Sequence, residues 1–176
     1  MPNELWAALL GGALSLAGTL LTLFLQQRSQ RNERKDIVTR FVIEQGEYLR
    51  ELSGRLEANF QKSNEVWMED VDQISVLVGV FQRNLEHIVF IDDEVLRKDI
   101  RLLFSDAFYI SQRASFWQRQ VWDKRKFMAD SQQLSAEERL RIEAEITSAY
   151  VEAKNCIVDL KQRTNSILDI KSSLHK

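Results

Sequence analysis

The sequence predicts an all-α protein: one N-terminal transmembrane helix followed by a bundle of about four long helices with coiled-coil-like seams. Three observations lead to this prediction. Pro2 is the only proline and the six glycines are spread thinly, so little interrupts a helix. Residues 5–25 contain no charged side chain. Beyond them, apolar residues recur three and four positions apart, which is the period of an amphipathic helix.

Residues 5–25 are expected to span a membrane. They read LWAALLGGALSLAGTLLTLFL, and at about 1.5 Å per residue such a helix matches a hydrocarbon core about 30 Å thick. A buried core helix is the alternative, but core helices rarely run this long without a polar face. No basic residue precedes the segment and no small-x-small cleavage site follows it, so we expect an anchor rather than a signal peptide. Residues 1–4 then form a short non-cytoplasmic tail and residues 26–176 a cytoplasmic helical domain.

This orientation follows from a basic cluster that directly follows the predicted span. Lys and Arg beside a span are retained in the cytoplasm, so the helical domain is predicted to be cytoplasmic, at a bacterial inner membrane. The same side chains can also contact anionic lipid headgroups, at about 1 kcal/mol each near the surface. A role in topology alone is the simpler interpretation. The basic cluster consists of Arg28, Arg31, Arg34, Lys35 and Arg40.

Small residues share one face of the predicted span. They recur at spacings of four, four, three and four, and small side chains let helix backbones approach closely in a membrane. With a single span, the partner helix must belong to another chain, so we expect a homo-oligomer. The alternative is that these residue types are simply common in membrane helices. The small-residue stripe consists of Ala7, Gly11, Ser15, Gly18 and Thr22.

The rest of the chain is predicted to form four helices with apolar seams, packed as an antiparallel bundle or with seams shared between chains. Acidic residues 92–94 are expected to cap the third helix, and Ser135 with Glu138 forms a predicted capping box for the fourth. The predicted helices cover roughly residues 26–62, 71–91, 93–127 and 135–174. The predicted seam of the first helix contains Ile37, Phe41, Tyr48, Leu52, Leu56 and Phe60. That of the third contains Leu96, Ile100, Leu103, Ala107, Ile110, Ala114, Trp117 and Val121.

Few residues suited to catalysis are present. The chain has two histidines, one cysteine and no glycine-rich phosphate loop, so catalysis is not expected. Cys156 falls in the predicted seam of the last helix and is expected to pack as a small apolar side chain. No second ligand lies near His87 at metal-binding spacing, so neither a metal nor a cofactor is expected. A net charge of −2 gives no reason to expect nucleic-acid binding.

Arg83-Asn84-Leu85-Glu86-His87 resembles the Arg-polar-x-x-x-His motif of HEPN-type ribonucleases, which are helical bundles that dimerise to form an RNA-cleaving site. The sequence departs from the motif because three residues separate Arg83 from His87, where the family typically has four to six. The resemblance implies that Arg83 and His87 would carry RNA cleavage or its remnant. Two residues four apart also share one face of any helix, so an exposed polar stripe is the alternative.

The end of the third predicted helix is a possible docking patch for a partner or a membrane surface. It combines exposed aromatic candidates with a basic last turn, although a basic last turn is also ordinary helix capping. The docking patch consists of Trp122, Arg125, Lys126 and Phe127.

Taken together, these features predict a non-enzymatic, single-pass membrane protein that acts by self-association and partner binding at the cytoplasmic face. The expected partners are membrane lipid, further copies of the chain and an unidentified cytoplasmic protein. Two alternatives stay open: a pore-forming oligomeric effector, for example in phage defence, and a HEPN-like helical domain that cleaves or binds RNA.

Overall fold

A computed structural model of the chain describes residues 20–131 and 134–174, together with the helical backbone of residues 2–19. The described residues form helices and short connections, without a β-strand. The predicted all-α class with four long helices is confirmed. The elements are α1 (Pro2–Ser63), α2 (Met68–Arg83), a 3₁₀ helix (Leu85–Phe90), α3 (Glu94–Asp130), α4 (Ala136–Asn165) and α5 (Ile167–Leu174).

The four long helices form an antiparallel bundle in which α1 and α3 lie diagonally across the core. Each helix packs against its neighbours in the chain, and α4 also returns to pack against α1. Between α2 and α3, the rings of Phe81 and Phe104 stack with centroids 3.7 Å apart. Between α1 and α4, the hydroxyls of Ser53 and Thr164 are 2.7 Å apart and buried. Helices α1 and α3 therefore run in the same direction.

The buried face of α1 differs from the predicted seam. Ile37 and Tyr48 are 55% and 43% exposed, whereas Val38 and Leu49 are buried in their place. In both cases two adjacent residues are apolar or aromatic, and both fit a loose three-four pattern. The elements that pack against α1, including the 3₁₀ helix beside Val38, decide which of the two enters the core.

The second helix is shorter than predicted, because α2 ends at Arg83 and a 3₁₀ helix follows. The Asn84 side chain donates to the Val80 carbonyl at 2.8 Å, which caps the end of α2. A 3₁₀ helix has three residues per turn, so Ile88 and Ile91 fall on one face. Both are buried. The tighter helix keeps these two side chains packed in the core while the chain reverses direction towards α3.

The predicted caps of the two later helices are confirmed, while the last helix is interrupted. Asp93 accepts the Leu96 N–H at 3.1 Å at the start of α3, and Ser135 and Glu138 form the capping box of α4. Ser166 separates α4 from α5, and its hydroxyl donates to the Arg163 carbonyl at 2.7 Å. The buried side of α3 is rotated slightly from the predicted seam: Ile110 and Trp117 are only partly buried, and Ser111 and Gln118 are buried.

The predicted membrane span falls largely outside the described side chains. Residues 5–19 are not among them, and four members of the small-residue stripe, Ala7, Gly11, Ser15 and Gly18, are therefore outside too. Thr22, the fifth, is exposed. Within residues 20–131 and 134–174, no helix is both long enough and apolar enough to cross a membrane.

Replacing Gly46 with Ala is expected to lower the free energy of unfolding by about 1–3 kcal/mol, the usual cost of overpacking a core. A Cβ atom at Gly46 would lie 2.1 Å from Cδ1 and 2.5 Å from Cγ1 of Ile167, whose side chain is fully buried. Guanidinium unfolding of the full chain in detergent, followed by circular dichroism, measures the loss.

Gly54 is the matched control on the same helix. A Cβ atom there meets nothing within 4 Å, so Gly54→Ala should raise stability by up to about 1 kcal/mol through helix propensity. Equal effects of the two substitutions would contradict the close approach of α5 to α1 at Gly46.

Candidate functional site

The basic cluster lies on the part of α1 that meets the connection between the 3₁₀ helix and α3. Arg31 Nη2 and Lys35 Nζ donate to the two carboxylate oxygens of Asp92, at 2.7 Å and 3.1 Å. The hydrogen bonds from Lys35 and Arg31 lower the pKa of Asp92. These contacts are exposed, so they contribute little to stability. They nevertheless fix this corner of the bundle against α1, and we call the three residues the corner ion pairs.

A shallow, mainly apolar cavity lies beside the corner ion pairs. Its volume is about 580 Å³, which is within the usual range for small-ligand sites. Ile37, Phe41 and Ile88 contribute to its apolar wall, while Arg34 and His87 add polar groups. The Arg34 guanidinium carbon is 5.6 Å from the ring centroid of Phe90, so this cation is held beside the cavity. Such a lining suits an apolar group with an anionic end.

Arg83 and His87 do not occupy one α-helical face. Arg83 is the last residue of α2, and His87 belongs to the following 3₁₀ helix, so the four-residue spacing that would align them in an α-helix does not apply. His87 lines the cavity, and its Nε2 is 3.8 Å from the Glu86 carboxylate. Among residues 20–131 and 134–174, no cluster of His, Cys, Asp or Glu is suited to bind a metal ion.

The docking patch is distributed around α3. Trp122 and Phe127 are both exposed, but five positions separate them, which places them about 140° apart around a helix. The Arg125 guanidinium carbon is 5.3 Å from the ring centroid of Tyr150, and its Nη1 is 3.7 Å from the Glu65 carboxylate. Arg125 therefore links α3 to α4 and to the α1–α2 connection.

Cys156 is buried between helices, and burial raises the pKa of its thiol. A protonated, inaccessible thiol is a poor nucleophile. This placement agrees with the expected packing role.

The sequence analysis missed a row of exposed apolar side chains on α3: Val95, Leu102, Tyr109 and Phe116. We call it the α3 outer row. Its signal in the sequence is the regular spacing of seven residues. The same helix also carries the core seam with three-four spacing, so its seven-residue row is less conspicuous in the sequence.

A scan against protein-family models and searches among curated proteins and solved structures each give no match to this chain. A function for this chain is therefore proposed from the chemistry and placement of its own residues.

Replacing Asp92 with Asn is expected to loosen the corner at neutral pH and to have a smaller effect in acid. Because the ion pairs lower the pKa of Asp92 in the folded state, their stabilisation is present above the ordinary Asp pKa and is lost as the pH falls through the lowered value. At pH 7, amides of residues 85–92 should exchange roughly two- to fivefold faster in the variant, because it loses the exposed ion pairs with Arg31 and Lys35.

Hydrogen exchange of both proteins at about pH 2.5, below the ordinary Asp pKa, should show a smaller difference. Asp99→Asn is the control, because Asp99 is exposed on the first turns of α3 and has no salt bridge with any residue in the described ranges. A loss of protection in Asp99→Asn equal to that in Asp92→Asn would contradict a specific role for the corner ion pairs.

Proposed function

We propose that this chain is a single-pass membrane protein whose cytoplasmic helical bundle self-associates and binds a partner at the membrane surface, without catalysis. The observation that carries the proposal is the extent of α1, Pro2–Ser63. This one helix includes the charge-free segment 5–25 and one full side of the bundle. Because one continuous helix runs from the anchor into the bundle, the position of the anchor and the position of the bundle are coupled.

The corner of the bundle supports a location close to the membrane surface. Arg31, the first bundle residue of α1 to make an ion pair, follows the end of the predicted span by six residues, or about 9 Å of helix. Electrostatic attraction to anionic headgroups acts over about 8 Å at physiological salt. Arg28, which precedes the corner ion pairs, is therefore best placed to contact lipid, while Arg31 and Lys35 are already engaged by Asp92.

Membrane attachment and orientation are tested with two variants that each add one cysteine to the native Cys156: Asn3→Cys and Ser172→Cys. The protein should stay with the membrane after alkaline extraction. A membrane-impermeant maleimide should label Asn3→Cys in intact spheroplasts and Ser172→Cys only after lysis. The native thiol gives little background because Cys156 is 3% exposed. Release by alkali, or the opposite labelling pattern, would contradict the anchor or its orientation.

The small-residue stripe is tested by the mass of the detergent-solubilised full chain, measured by light scattering. Gly11→Leu/Gly18→Leu should lower the copy number, because leucine side chains keep the helix backbones apart. Gly12→Leu/Ala17→Leu changes two small residues off the stripe and should leave the copy number unchanged. Equal masses for both variants and the wild type would contradict association through the stripe. A high copy number together with ion conductance would favour a pore.

A further inference from the structure

The α3 outer row runs along the solvent side of α3, directly opposite the core. Val95, Leu102, Tyr109 and Phe116 are 67%, 39%, 64% and 52% exposed. Seven residues make almost two turns, so the four side chains follow one line about 32 Å long. The opposite side of the same helix carries Ile100, Ala107, Ala114 and Val121, all fully buried.

Packing of the bundle does not account for this row. On α4, one exposed row with the same spacing of seven residues is entirely polar: Arg141, Ser148, Asn155 and Gln162. A neighbouring row on α4 exposes the smaller apolar side chains Val151 and Val158. Solvent favours polar residues on the outside of both helices alike. The four apolar side chains of α3 expose roughly 400 Å², as large as the biggest apolar patch of an ordinary monomer, and such patches are often functional.

We propose that the α3 outer row binds the same row on a second copy of this chain, with the two α3 helices parallel. An apolar row that faces itself across a twofold axis is self-complementary. Two such rows and their polar flanks reach the roughly 1,200 Å² of total buried area that a specific interface needs.

The charges beside the row fit this partner. Arg101 lies on one flank and Asp106 on the other, five positions later. In two parallel helices that face each other, residues with this spacing on opposite flanks meet across the interface. Arg101 of each copy therefore faces Asp106 of the other. Asp106 accepts Arg163 Nε at 2.8 Å within its own chain, and its side chain is still 41% exposed.

One heptad earlier, the same register brings Glu94 opposite Asp99. Lys98 lies between these two residues on the exposed side of α3, so a cation is placed where two carboxylates meet. Lys98 therefore offsets one of these two carboxylates, and the other stays on the exposed flank of the row.

The parallel orientation rests on the membrane anchor proposed above. Helix α3 runs in the same direction as α1, so two copies anchored in one membrane present their α3 helices parallel. Confinement to a membrane also raises the effective concentration of one copy near another, which favours a contact of modest size.

Single cysteines at the two ends of the row test the proposal in the full chain reconstituted into lipid vesicles. Under mild oxidation, Val95→Cys and Phe116→Cys should each form a disulfide-linked dimer in the larger part of the protein. Arg141→Cys and Gln162→Cys, at the ends of the polar row on α4, are matched controls and should stay monomeric. The buried Cys156 supplies little background. Failure of both row positions to exceed the controls overturns the proposal.

A second measurement avoids the introduced cysteines. In the Gly11→Leu/Gly18→Leu background, which removes the association proposed for the small-residue stripe, Tyr109→Glu should weaken association of the full chain at least tenfold in sedimentation equilibrium. Ser148→Glu on α4 should leave it unchanged. Circular dichroism checks that both variants fold. A folded Tyr109→Glu that associates like the Gly11→Leu/Gly18→Leu parent overturns the proposal.

The two proposals fail separately. Disulfide formation at Val95→Cys in the Gly11→Leu/Gly18→Leu background would support the α3 contact whatever the small-residue stripe does. Release of the protein by alkali would contradict the proposed anchor, and the disulfide test of the α3 contact would then be carried out on the protein in solution. An anchored chain without the α3 disulfide would remove the α3 contact alone.

Discussion

The bundle depends on the contact between α1 and the last two helices, because this contact closes the structure between distant parts of the chain. The hydroxyls of Ser53 and Thr164, separated by 111 positions, are 2.7 Å apart in a fully buried site. Close by, the absence of a side chain at Gly46 leaves the space that Ile167 fills. Without this contact α1 would pack only against α2 and the 3₁₀ helix, and its buried residues on the α4 side would face water. A glycine and a pair of small hydroxyl residues thus determine how closely the helices approach.

The sequence predicted the helices better than it predicted their faces. Charge-free and amphipathic segments, together with the capping residues of α3 and α4, identify helices by local chemistry alone. The choice between Ile37 and Val38, or between Tyr48 and Leu49, depends on helices far along the chain that decide which neighbour is buried. The 3₁₀ helix after Arg83 was missed for a related reason. The spacing of Leu85 and Ile88 also fits an α-helical seam. Only the burial of Ile88 and Ile91 on one face favours a 3₁₀ helix over an α-helix here.

The candidate surfaces show the same limit. Five basic residues after a charge-free segment are visible in the sequence, but their partner Asp92 is 57 and 61 positions away from two of them. Pairing within the bundle divides the basic cluster into residues that hold the corner and residues such as Arg28 that remain for other contacts. Arg125, a residue of the predicted docking patch, instead packs its guanidinium group over the Tyr150 ring within the fold. The α3 outer row, by contrast, is visible from its spacing, and it becomes notable only when the bundle shows that no residue in the ranges 20–131 and 134–174 covers it.

The diagonal placement of α1 and α3 constrains how the proposed contacts combine. If copies pair through α3, each α1 lies on the far side of its own bundle, and with helix spacings of 8–10 Å the two anchors of one pair stand about 35 Å apart. They cannot then touch each other through the small-residue stripe. Contacts between spans would have to join one pair to the next. Two separate self-complementary contacts on opposite sides of a bundle generate an extended row of copies instead of a closed ring. Such an array would concentrate bundles at the membrane surface, which suits recruitment of a multivalent partner better than it suits enclosure of a pore.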